Sequence, residues 1–101
     1  MQLYHVITTQ FALDDLKLGQ AFYEKQAQSL GDYFFDALLT DIESLHFYAG
    51  IHPVENSYHK MLSKRFPYAI YYDMTDNTAR IIAILDQRRD PLRNYSHLSQ
   101  R

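Results

Sequence analysis

Two apolar runs, Phe66-Pro67-Tyr68-Ala69-Ile70-Tyr71-Tyr72-Asp73-Met74 and Ala79-Arg80-Ile81-Ile82-Ala83-Ile84-Leu85, are separated by only Thr75-Asp76-Asn77-Thr78. Both are rich in β-branched and aromatic residues, which suit a pleated, half-buried surface. Four polar residues suffice for a turn, whereas a parallel crossover needs a dozen or more. The two runs therefore form an antiparallel hairpin, and this places a sheet in the second half of the chain. Ala79–Leu85 is the more apolar run and should lie inside the sheet. Pro67 stands near the start of its strand, where a missing ladder donor is tolerated. Alternation puts Tyr68 and Tyr72 on one face and Tyr71 on the other, where they are expected to pack in the core with a hydroxyl reaching water. Tyr58 to Ser63 is a weaker candidate for a third strand of this meander.

The first half has a different period. Residues 3–9, LYHVITT, read as a short strand. After them Ala12, Leu16, Gly19, Tyr23, Ala27 and Leu30 recur every three or four positions, the spacing of one buried helix face. Thr8 or Thr9 can cap that helix, and Asp14 and Asp15 lie toward its positive end. Gly31 interrupts the pattern, and Asp32 can cap a second helix. The stripe of that helix is Phe34, Leu38, Ile42 and Leu45, widened by Phe35 and Leu39. Such a short break predicts an antiparallel helical pair. Residues 50–57, GIHPVENS, read as a loop. The expected fold is α+β: an N-terminal strand, a helical hairpin, then an antiparallel three-stranded meander, with the helices on one sheet face.

At 101 residues the chain is expected to be a single domain spanning 1–101. It has no cysteine, so disulfides and thiolate chemistry are excluded. No basic-plus-apolar leader and no membrane-length apolar stretch is visible, which leads us to expect a cytoplasmic protein. The net charge of −2 hides an asymmetry. Residues 1–59 hold two Lys/Arg against eight Asp/Glu, a net of −6; residues 60–101 hold eight against four, a net of +4. This balance argues against tight nonspecific nucleic-acid binding over the whole surface, but allows a basic face.

The basic residues concentrate where the last strand ends, in Leu85-Asp86-Gln87-Arg88-Arg89-Asp90-Pro91-Leu92-Arg93-Asn94-Tyr95. Arginine forks bind phosphate or carboxylate in paired geometry, so Arg88, Arg89 and Arg93 are candidates for a binding site. Asp86 or Asp90 can instead pair with them and reduce the free charge. Tyr95 can stack on a base, bond a phosphate or pin the tail to the sheet. Lys60, Lys64 and Arg65 precede the hairpin and extend the patch if their strand neighbours the last one. The histidines, His5, His46, His52, His59 and His97, form no HExxH or other close ligand pattern, so no metal site is expected. His97 lies near the arginines and can act as an acid or base, or be a plain tail residue. No glycine-rich phosphate loop is present, and nothing implies a cofactor.

Arg65-Phe66-Pro67-Tyr68, then a tyrosine-rich strand, a turn, an apolar strand and Arg88-Arg89-Asp90-Pro91, resemble the RelE/ParE toxin superfamily, and within it the plasmid-stabilisation branch. Ala12, Leu16, Tyr23, Gly31 and Phe34 agree with the earlier half of that pattern, so the resemblance covers almost the whole chain. It implies a toxin component of a type II toxin–antitoxin module, neutralised by a cognate antitoxin, with a small antiparallel sheet crossed by a helical hairpin. RelE-like members cleave mRNA on the ribosome without a metal; ParE-like members poison DNA gyrase and are not nucleases. For a ribonuclease, the resemblance would assign catalysis to Arg88, Arg89, Tyr95, Lys60 and Lys64. For target or antitoxin binding it points to Arg88, Arg89, Arg93, Tyr95 and Arg65. In the ribonuclease branch an arginine follows the tyrosine of the third strand, and here Ala69 stands there. Losing one such cation costs several kcal/mol of transition-state stabilisation, about a hundredfold or more in rate. Asp86 stands where many plasmid-stabilisation sequences have histidine. The gyrase-directed reading is therefore favoured over the ribonuclease, with a non-toxic binding module of the same fold as the third reading. Direct nucleic-acid contact is left open.

Overall fold

The structure is a computed structural model and describes residues 3–101. Its elements in chain order are β1 (His5–Thr8), α1 (Gln10–Gln26), α2 (Leu30–Glu43), α3 (Leu45–Tyr48), β2 (Val54–Glu55), β3 (Tyr58–Leu62), β4 (Tyr68–Thr75), β5 (Thr78–Asp86) and α4 (Pro91–Ser99). The sheet has five strands in the order β1-β5-β4-β3-β2. The expected meander is its β3–β4–β5 portion, and two strands extend it beyond the three that were expected. On one side the GIHPVENS loop contributes Val54 and Glu55 as a short edge strand paired with β3. On the other side β1 joins β5 in parallel register, so the sheet is mixed. The helical hairpin between β1 and the meander supplies the crossover that parallel pairing requires.

Thr9 makes the crossover local. Its hydroxyl donates to the Ile81 carbonyl at 2.8 Å and accepts the Ala12 amide at 3.3 Å, so one side chain both caps α1 and ties it to β5. Helix α1 buries Ala12, Leu16, Gly19 and Tyr23, as the spacing predicts. Ala27 falls outside it at the C-cap and is exposed, and Leu30 begins the next helix. Asp32 does not cap α2; the N-cap position is Ser29, in the left-handed region at φ 69°, and the Glu24 carboxylate of α1 accepts the Ser29 and Gly31 amides at 3.0 and 2.9 Å. Gly31 is therefore inside α2 and does not break it. A Cβ there would stand 2.5 Å from the Gln20 carbonyl oxygen, so glycine is what lets the two helices approach. Leu45 is fully buried but belongs to α3, and Leu39 is partly exposed rather than part of the core face.

Helices α1 and α2 cover one face of the sheet. Phe34, Leu38, Leu16 and Tyr23 meet Tyr68, Ile70, Tyr72, Ile81 and Ile84 there. Tyr71 faces the other way with Ala69, Ala83 and Leu85, as alternation requires. A bulge on β5 resets its faces: Tyr71 pairs with Ala83 but Tyr72 pairs with Ile81, leaving Ile82 as the extra residue. Residues 88–101 are more than a polar tail. Asp90 caps α4 by accepting the Leu92 amide at 3.0 Å, Pro91 takes the first turn, and Leu98 joins the smaller cluster on the face away from α1 and α2.

Beyond β1, the outer edge of β5 is finished by side chains. Asp15 accepts the Ile84 amide at 3.0 Å, Asn94 donates to the Asp86 carbonyl at 3.0 Å, and Arg101 donates to the Ile82 carbonyl at 3.3 Å. Asp15 also takes both guanidinium nitrogens of Arg101, and the two side chains are only 9% and 10% exposed. Asp15 thus serves as an edge cap rather than as a charge in the first turn of its helix.

Candidate functional site

Asp86 lies directly opposite Tyr68 in the β4–β5 ladder, so the two share the face that carries the helices. The chain turns immediately afterwards, and this turn brings Arg88 back over Asp86. The guanidinium clasps the carboxylate through Nε at 3.0 Å and Nη2 at 2.8 Å, and the Arg88 amide donates to the same group at 2.9 Å. The Asp86 side chain is 12% exposed. Its burial favours the neutral acid, but the side-chain and backbone hydrogen bonds of Arg88 outweigh this and hold the carboxyl below its usual range. Arg88 also donates to the Tyr23 hydroxyl at 3.3 Å and lies 5.8 Å from the centre of the Phe22 ring. Arg88 is therefore committed to Asp86 and α1.

Arg89 is placed differently. Its amide donates to the Asp86 carbonyl at 3.3 Å, but its side chain is exposed and, among the described residues, makes no hydrogen bond or ion pair. It borders a cavity of about 80 Å³ between α1, the end of β5 and α4. Leu18, Gly19 and Phe22 form the α1 wall, Tyr68 and Ile84 come from the sheet, and Asn94 and His97 come from α4. Tyr68 is only 6% exposed, yet among the described residues nothing bonds its hydroxyl. Burial, reinforced by Asp86 and Tyr23, pushes that hydroxyl up to about 12, so it is a firm donor at neutral pH.

The other sequence-derived candidates do not gather here. Helical geometry of 100° per residue puts Arg93 on the same flank of α4 as His97, and Tyr95 on the opposite flank beside Leu98. Tyr95 is 52% exposed. Lys60 pairs with Tyr71 in the β3–β4 ladder and so stands on the face away from α1 and α2, 6.0 Å from the Tyr71 ring centre and bound to Glu55 at 3.1 Å. Lys64 and Arg65 follow the end of β3 and lie in a loop, not on a strand. They border a separate cleft with Tyr33 and Asp41, in which Arg65 donates to the Tyr33 hydroxyl at 2.8 Å. The candidate basic residues thus separate: Arg88 and Arg89 at the end of β5 beside α1, Arg93 on α4, Lys60 on the opposite face, and Lys64 and Arg65 beside α2.

Sequence reading did not single out Tyr68, Gly19 or Asn94 as site residues. One signal was available for Gly19: a glycine inside a helical stripe that otherwise calls for bulk. A Cβ at this position would meet Phe34 Cζ at 2.6 Å and the Tyr68 hydroxyl at 3.3 Å. The missing side chain both admits the Phe34 ring and leaves the hydroxyl open to the cavity.

No family model matches the chain, and no curated protein matches it in sequence. Among solved structures, a chain of the "Chromosomal ParDE TA system from P. aeruginosa" superposes with a TM-score of 0.73 at 15% identity, over 81% of this chain and 94% of that one. The likeness is one of fold. No helix among the described residues is long and apolar enough to cross a membrane.

Proposed function

We propose that this chain is the toxin component of a type II toxin–antitoxin module, that it inhibits DNA gyrase rather than cutting mRNA, and that a cognate antitoxin neutralises it. The distribution of cations around Ala69 carries this choice. A metal-independent ribonuclease gathers several positive groups and a proton-transfer group around one phosphate. Here position 69 is a fully buried methyl in the cluster that contains Leu98. Lys60 stands on that face in a pair with Glu55, whereas Arg88 lies on the opposite face bound to Asp86. Charges divided between two faces of a sheet suit binding to a large partner better than catalysis at one phosphate. The fold shared with the ParDE structure supports the toxin–antitoxin class at the level of architecture.

Expression without any partner, followed by supercoiling and ribosomal mRNA-cleavage assays on the purified chain, tests this reading. The expected result is growth arrest and inhibited supercoiling, with mRNA intact. Replacing Arg88 and Arg89 together by glutamine should abolish the inhibition and leave the chain folded. Cleavage at fixed codon positions would overturn the gyrase assignment. Harmless expression with both assays negative would leave the non-toxic binding module as the better reading.

A further inference from the structure

We propose that the cleft between α1, the end of β5 and α4 docks a partner polypeptide, which inserts one acidic side chain between the Tyr68 hydroxyl and the Arg89 guanidinium. This inference does not depend on which cellular machine the chain inhibits, nor on its being a toxin.

Three observations converge on it. First, the Tyr68 side chain is more than nine-tenths buried, and its hydroxyl, the part left accessible, opens into the cavity with no protein partner among the described residues. Second, Arg89 stands at the same cavity without an ion-pair partner, while its neighbour Arg88 is neutralised by Asp86. His97 adds a second group on that rim that can donate a hydrogen bond. Third, the rim on α1 is apolar and exposed: Leu18 is 71% and Phe22 45% accessible, and Phe11 continues the stripe at helical spacing.

The chemistry of the cavity selects the ligand. A tyrosine hydroxyl and an arginine fork suit the two oxygens of a carboxylate. Asp15 and Asp86 also line the cavity, so a phosphate dianion would meet two carboxylates where a monoanion meets less repulsion. The cavity has room for a carboxylate and its stem. The apolar rim favours a polypeptide over a free acid, because flanking leucine-type side chains can cover Leu18 and Phe22 while the acid enters the cavity.

The probe is a capped helical peptide of about a dozen residues, with one central glutamate flanked by leucines at helical spacing. It is compared with its glutamine counterpart and with inorganic phosphate, each titrated into the full chain and followed by amide NMR. The glutamate peptide should saturate with shifts at Gly19, Asp86 and Arg89, and the glutamine peptide should bind at least about tenfold more weakly, as expected for loss of a charge-assisted bond. Tyr68→Phe and Arg89→Gln should each reduce the glutamate peptide toward the glutamine level, with unfolding midpoints unchanged. Equal affinity for the two peptides would overturn the proposal. So would tighter binding of phosphate than of the glutamate peptide, unaltered binding by both variants, or no saturable binding.

Discussion

Tyr68 and Tyr72 lie four residues apart on β4, point to the same face and are both buried, yet their hydroxyls have opposite surroundings. The Tyr72 hydroxyl accepts the Gly50 amide at 2.9 Å and pairs with His52 Nδ1 at 2.5 Å. His59 stacks on the Tyr72 ring at 5.0 Å and its Nδ1 meets the His52 carbonyl at 2.7 Å, which closes the group. At this end of the sheet a tyrosine fastens the loop before β2 to the core. At the other end the Tyr68 ring packs against Phe34, but its hydroxyl fastens nothing. The charges around it are instead bound to one another, Arg88 to Asp86 and Arg101 to Asp15, leaving Arg89 and the hydroxyl facing a cavity. Burial alone therefore does not identify a structural tyrosine; the satisfaction of its hydroxyl does.

The largest effect should come from the framework that holds the Tyr68 end open. Asp15→Ala would leave the buried Arg101 guanidinium without a counter-charge and the Ile84 amide without its acceptor, and should cost about 3–5 kcal/mol in urea unfolding, the range for breaking one side of a buried pair. By contrast the Arg88–Asp86 pair is half-exposed on its arginine side, so its contribution to stability belongs to the about 0–1 kcal/mol range of surface pairs. A small loss in Asp15→Ala would mean that α4 does not protect the β5 edge.

Tyr72→Phe comes next. It removes the acceptor of the Gly50 amide and the partner of His52, and should cost about 1–3 kcal/mol. The same end should also respond to pH. Burial, then the neighbouring His59, holds the His52 pKa below its ordinary value. The unfolded chain therefore takes up this proton first as pH falls. The stability from His52 is fully present above the unfolded value of about 6.5, and is lost as pH falls through the lower folded value. Thermal unfolding followed from pH 7.5 to 5 should show the midpoint falling, with a shallower fall in His52→Gln. An equal slope in both would show that His52 does not report on this end.

The smallest effect is expected at Tyr68. Its hydroxyl has no bond to lose, so Tyr68→Phe should change stability by no more than about 0.5 kcal/mol.

The two ends also differ in how much the sequence discloses. Helical and strand periods expose the core faces of α1, α2 and β4, because each packs one regular stripe. The β5 bulge is hidden because Ile81-Ile82-Ala83-Ile84-Leu85 is apolar at every position and carries no alternation that could break. Helix α4 had a local signal, Asp90 as cap and Pro91 in the first turn, that the concentration of arginines obscured. Strand β2 has only two residues, too short for a period, and β1 pairs with β5 across most of the chain length. The arginines were legible as a group, but not their division: which of Arg88 and Arg89 meets Asp86 depends on the turn that follows β5. Nor can spacing distinguish Tyr68 from Tyr72, since the surroundings of their hydroxyls come from α1 and α4 in one case and from Gly50 and His52 in the other.

Urea unfolding of Tyr68→Phe and Tyr72→Phe, measured side by side, tests most directly whether one tyrosine serves the fold and the other is left open to a partner. The expected result is a loss of about 1–3 kcal/mol for Tyr72→Phe, with Tyr68→Phe within about 0.5 kcal/mol of the parent chain. A loss at Tyr68 equal to or larger than that at Tyr72 would contradict the account, because it would make the Tyr68 hydroxyl part of the framework.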